Sequence, residues 1–90
     1  MTADELLGVT KLNLSLKTTA YDAYLGGLID AAREMIAREG IVLTDTAEDD
    51  QLVVMYTAYL FRKRAEDNPP MPRMLRYAIN NRLFSQKIGG

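Results

Sequence analysis

Residues 52–61 (LVVMYTAYLF) constrain this chain more than any other stretch. A helix built on them is apolar almost all round. It has no polar face to give to water, so other helices must wrap it. At ten residues the run is half the ~20 needed to span a bilayer, so it reads as a buried helix and no membrane is expected as partner. Its flanks agree with a helix in this place. Glu48, Asp49 and Asp50 precede it, where carboxylates meet the positive end of the helix dipole, and Arg62, Lys63 and Arg64 follow at the negative end. A central helix starting at Asp45 or Thr46 and closing on those three cations is the expectation.

Three more helices are needed to cover it, and the periodicity supplies them. Residues 3–12 form a short helix with Leu6, Leu7 and Val9 apolar and Asp4 and Glu5 in its first turn, weakened by Gly8 and Thr10. Residues 13–19 read as a connection. Tyr21, Tyr24, Leu25, Leu28, Ile29, Ala32, Met35 and Ile36 then trace an amphipathic stripe. Thr19 with Asp22 suggests a capping box at its start, and Gly40 a left-handed cap at its end. Gly26 and Gly27 inside it cost about 1 kcal/mol each relative to alanine, which suggests close approach of another helix. Residues 66–70 (EDNPP) form a turn, and Pro72 suits the first position of a fourth, basic helix. Met71, Met74, Leu75, Ala78, Ile79 and Leu83 make its apolar side, with Arg73, Arg76, Asn80 and Lys87 opposite. The expected fold is all-α: one small four-helix domain over residues 1–90, with a short first helix, two long core helices and a basic last one. The core is expected over about 3–84, with 85–90 a flexible tail.

Composition removes most chemistry. Among 90 residues there is no cysteine and no histidine, hence no thiolate nucleophile, no Cys-ligated zinc, and neither the commonest general base nor the commonest metal ligand. The acids Asp45, Glu48, Asp49 and Asp50 lack the alternate spacing and glycine of a calcium loop and sit where a helix wants capping charge. Tyr21, Tyr24, Tyr56, Tyr59 and Tyr77 lie on or beside apolar stripes and read as core, with hydroxyls at the rim. No phosphate loop, serine–base pair or dinucleotide motif is present. No catalytic residue, cofactor or metal is expected, and the protein does not read as an enzyme. The N-terminus carries acids where a secretory signal would carry bases.

Charge is unevenly spread. Residues 1–61 hold ten acids against four bases, and residues 62–90 seven bases against two acids. Such a split suits either a basic end for nucleic acid or two complementary surfaces that meet each other. Glu48, Asp49 and Asp50 on one side, with Arg62, Lys63 and Arg64 on the other, are candidate intersubunit charge pairs.

The order YDAYLGGLIDAAREMIAREG, DDQLVVMYTAYLFRKR, a proline turn, then PRMLRYAINNRLFSQK resembles the small head–tail connector (adaptor) or DNA-packaging proteins of tailed bacteriophages and prophages. The resemblance spans about residues 3–87 and rests on pattern and order, since none of these segments is a catalytic motif. It implies an all-α protomer assembling into a homo-oligomeric ring beneath the portal protein. Packaged DNA would pass through without sequence-specific binding, and a neck or tail completion protein would dock below. It further implies a place at the head–tail junction of the virion, and in the host bacterial cytoplasm during assembly.

Arg73, Arg76, Arg82, Phe84 and Lys87 are the candidate partner- or DNA-facing residues. Arg82 falls on the apolar side of its helix and Phe84 lies near the end. Pairing of Arg82 with a partner's carboxylate and insertion of Phe84 into a partner's pocket would account for both. On that expectation a chain cut after Asn81 still folds. Two other classes fit the same residues: a small helical DNA-binding regulator using Arg73, Arg76 and Lys87 on phosphates, and a dimeric protein–protein adaptor.

Overall fold

A computed structural model of the chain describes residues 1–65 and 69–89. Glu66, Asp67 and Asn68 of the expected proline turn, and Gly90, lie outside the described residues. Four helices follow in order: α1 (Ala3–Asn13), α2 (Asp22–Arg38), α3 (Ala47–Lys63) and α4 (Arg73–Ile88). No strand occurs among the described residues. The all-α, four-helix expectation is met.

Each helix begins and ends for a local reason. Thr2 caps α1: its hydroxyl accepts the Glu5 N–H at 3.2 Å, while the Glu5 carboxylate accepts the Thr2 N–H at 2.9 Å. This capping box was not read from the sequence. After α1 the Ser15 N–H returns to the Leu12 carbonyl and the Leu16 N–H to that of Lys11. Ser15 sits at φ 58°, in the left-handed position where glycine is the usual occupant. The capping box expected from Thr19 and Asp22 does not form. Asp22 takes only a backbone bond from its N–H to the Thr19 carbonyl, and its carboxylate faces the Lys11 ammonium at 2.8 Å. Gly40 ends α2 at φ +100°, as expected. Thr46 caps α3, its hydroxyl accepting the Asp49 N–H at 3.3 Å. Pro72 stands one residue before α4 as its cap rather than inside it.

Helix α3 is the centre. The other three helices each pack on it, and α1 and α2 also pack on each other. Its buried residues Leu52, Val53, Val54, Tyr56, Ala58 and Phe61 meet Leu6 of α1, Leu25, Ile29 and Ile36 of α2, and Leu75 and Ile79 of α4. Thr10 and Thr57 are buried too, each hydroxyl donating to its own helix at 2.7 Å, to the Leu6 and Val53 carbonyls. The protomer measures 42 × 30 × 18 Å. Its thickness is under two helix diameters of about 10–12 Å, so the helices around α3 keep an outer face in water.

Several expectations change. Tyr56 is buried and Tyr59 packs at the core edge, but Tyr21, Tyr24 and Tyr77 are exposed, and so are Met35 and Met74. The sides of α2 and α4 that carry them point away from α3. No helix approaches Gly26 or Gly27: a methyl added at either meets nothing within 4 Å. Residues 85–88 are the last turn of α4, not a flexible tail, and the Gly89 N–H closes on the Ser85 carbonyl at 2.8 Å.

Burial within α3 sets an order for substitutions. Val54 is 1% exposed, whereas Leu60 lies half-buried at the edge. Val54→Asp should abolish the cooperative helical melt, because its carboxylate has no route to water. Leu60→Asp should lower the melting temperature of a protein that still folds. Circular-dichroism melts check this, and equal damage from both would contradict the packing. Gly27→Ala should stabilise the isolated protomer by up to about 1 kcal/mol, the helix-propensity gain with no steric cost. A lower denaturation midpoint for that variant would show that the position is already occupied.

Candidate functional site

The chemistry of this chain concentrates where α4 crosses the α2–α3 connection. Asp49 lies in the first turn of α3, three and four residues before Leu52 and Val53, on the helix side that faces inward. It is 1% exposed. A carboxylate there costs several kcal/mol unless its oxygens are paired. Arg82 supplies the pairing: Nε donates to Oδ1 at 2.6 Å and Nη2 to Oδ2 at 3.1 Å. Thr44 completes the shell, donating its N–H at 2.7 Å and its hydroxyl at 2.8 Å to Oδ2. Arg82 Nη2 also donates to the Val42 carbonyl at 2.9 Å, and Glu48 stands 3.8 Å from Nε.

Two further contacts flank this pair. Gln86, one turn beyond Arg82, accepts the Val42 N–H at 2.7 Å and donates to the Gly40 carbonyl at 2.8 Å. Nearer the start of α4, Arg76 reaches the Glu39 carboxylate at 3.3–3.4 Å. The inner face of α4 is thus held by Leu75 and Ile79 in the core and by Arg76, Arg82 and Gln86 on the connection.

Burial by itself would raise the Asp49 carboxyl. The hydrogen bonds from Arg82 and Thr44 and the guanidinium charge outweigh it and hold Asp49 below the ordinary aspartate value. The bond to Asp49 likewise makes Arg82 still harder to deprotonate than usual.

The sequence-derived candidates therefore divide. Arg82 pairs within the chain, with Asp49, and not with a partner's carboxylate; it fell on the apolar side because its acceptor is buried. Asp49 is correspondingly no intersubunit charge, and Asp50 bonds to the Met1 ammonium at 2.9 Å. Glu48 remains exposed beside Arg82. Arg62 is exposed. Lys63 lies 5.9 Å from the Tyr59 ring, and Arg64 stacks on Phe61 at 4.1 Å and on Tyr21 at 5.1 Å. Arg76 is committed to Glu39. Arg73, Phe84 and Lys87 point outward, as expected.

Beside them the outer face of α4 carries side chains that the sequence had not marked as a surface. Met74 is 72% exposed, Tyr77 55%, Phe84 64% and Ile88 71%. Among the described residues no three acidic side chains converge as a metal ligand set, and no helix is long and apolar enough to cross a membrane. Compared with known protein families, curated proteins and solved structures, the chain shows no match.

Breaking the buried pair is the direct test of the site. Arg82→Met leaves Asp49 desolvated and should cost about 3–5 kcal/mol. Adding Asp49→Leu should recover much of that loss, and urea titrations of the single and double variants measure it. A loss under about 1 kcal/mol for Arg82→Met would mean a surface-type pair. The pH dependence follows from the lowered Asp49 value. Its contribution is fully present above the unfolded aspartate pKa of about 3.9 and is lost as pH falls through the lower folded value. Asp49→Asn should flatten that acid limb of the stability curve.

Proposed function

We propose that this protein is a structural component of virion assembly, a head–tail connector that forms a ring under the portal, through which packaged DNA passes, and receives the neck or tail completion protein below. The sequence resemblance over residues 3–87 supports this reading, as does the four-helix protomer built around α3. The observation that carries it is the outer face of α4. Four large apolar side chains, each more than half exposed, stand along a helix that is otherwise firmly docked. A face of this size and chemistry is the mark of a protein completed by assembly.

The DNA-binding alternative is weakened by the same geometry. Of the four cations of α4, Arg76 and Arg82 are committed to Glu39 and Asp49, which leaves Arg73 and Lys87 for phosphates. Tight binding needs more phosphate contacts than two. Mobility-shift assays with duplex DNA should show no complex at physiological salt, and a salt-resistant complex would favour the regulator.

The connector reading is tested by adding the purified chain to portal-bearing, DNA-filled heads that lack it. Several copies should bind the portal vertex as a ring seen by electron microscopy, and the heads should become competent to join tails. Heads that join tails equally well without the chain would refute the proposal.

A further inference from the structure

Met74, Tyr77, Asn81, Phe84 and Ile88 follow one another at intervals of three, four, three and four residues. That spacing aligns them in one straight seam on a helix, the pattern by which helices pack along their length. The seam lies on the side of α4 opposite Leu75 and Ile79, all five residues are exposed, and nothing in the protomer covers them. Arg73, Asn80 and Lys87 recur every seventh residue along one flank of the seam, and α4 contains no acidic residue at all. The missing occupant must therefore offer apolar surface and negative charge together.

The chain carries such a surface on another helix. On the outer side of α2, Tyr24 is 46% and Met35 36% exposed, with half-buried Ala31 and exposed Gly27 between them. The exposed carboxylates of Asp30 and Glu34 border the strip, and Arg38 lies beyond them at the C-terminal end of the helix. The space above Gly27 is open, so the backbone there admits close approach of a ring.

We infer that the α4 seam of one copy docks on the outer face of α2 of the next. Phe84 and Tyr77 lie over the Gly27–Ala31 strip, and Arg73 or Lys87 stands opposite Asp30 and Glu34. Pairing of α4 with a second α4 is disfavoured, because each seam brings two cations and no acid. A contact between two different surfaces of the same chain is heterologous. Each copy keeps one free surface of each kind, and copies add head to tail until a ring closes. This inference rests on the connector reading for the ring, but the contact itself is testable without portal or phage.

The test uses two full-length variants. One loses the seam, Tyr77→Asp with Phe84→Asp, both at exposed positions. The other loses the strip by Gly27→Arg, which improves helix propensity and so leaves folding intact. Circular dichroism confirms that both fold. Wild type at millimolar concentration should show species larger than the 10.1 kDa chain in sedimentation, and each variant alone should remain a monomer. An equimolar mixture should form a heterodimer and nothing larger, since it retains only one intact seam and one intact strip.

Three results would overturn the inference: wild type monomeric throughout, a Gly27→Arg variant that assembles on its own, or a mixture that stays monomeric. The second would instead assign the seam to α4–α4 pairing. If the heterodimer forms but the wild type fails to bind portal-bearing heads, the contact stands and the connector reading falls.

Discussion

A carboxylate that is 1% exposed cannot remain charged in a small helical domain without a full set of partners, and Asp49 organises its surroundings accordingly. It draws the Thr44 N–H and hydroxyl, which shapes the connection between α2 and α3, and the Arg82 guanidinium, which fixes α4 across that connection. Thr46, which caps the same helix turn, sets the direction in which α3 enters the core. A pair of this kind is a weak source of net stability, since the desolvation of both charges offsets most of their attraction. What it supplies here is a single permitted position for α4. Sliding α4 by one turn would preserve apolar contact through Leu75, Ile79 and Leu83, but would leave Asp49 buried without a cation.

That fixed position gives α4 its two roles. Its inner face is held by contacts to three different segments: the end of α2 through Glu39, the connection through Gly40 and Val42, and α3 through Asp49. Its outer face can therefore stay rigid in water while displaying Met74, Tyr77, Phe84 and Ile88. A frayed helix would lose ordering entropy when it docked; a helix already anchored loses little. A chain cut after Asn81 would lack Arg82 and strand Asp49, so such a truncation reports on folding before it reports on docking.

Local features were legible in the sequence and long-range ones were not. The four helices, the acids at the start of α3, the cations at its end and the Gly40 cap are all set by neighbours within a turn or two. Helix α3 could be placed at the centre because ten apolar residues leave no other place for it. The Asp49–Arg82 pair joins residues 33 apart in the chain, and no periodicity announces such a partner. A signal did exist: each of the two charges falls on the apolar stripe of its own helix, and two opposite charges out of place can satisfy one another. Gly26 and Gly27 were misread in the converse way. Their cost suggested a neighbouring helix within the protomer, whereas the space above them is open. The tyrosines divide because a wide apolar stripe has edges, and Tyr21, Tyr24 and Tyr77 lie on the edges that α3 does not reach.

The central claim is that the bidentate Asp49–Arg82 contact holds α4 in place on the bundle. Residue-resolved native-state hydrogen exchange at neutral pH, comparing the unaltered chain with Arg82→Lys, tests it most directly. Lysine keeps the charge but loses the two-pronged geometry that spans both carboxylate oxygens. The account predicts that α4 amides in the unaltered chain are protected nearly as well as those of α3. In Arg82→Lys they should lose that protection selectively, while α1, α2 and α3 keep theirs. If α4 already opens independently in the unaltered chain, or if its protection survives the substitution, the helix is held by its apolar contacts and the account is wrong.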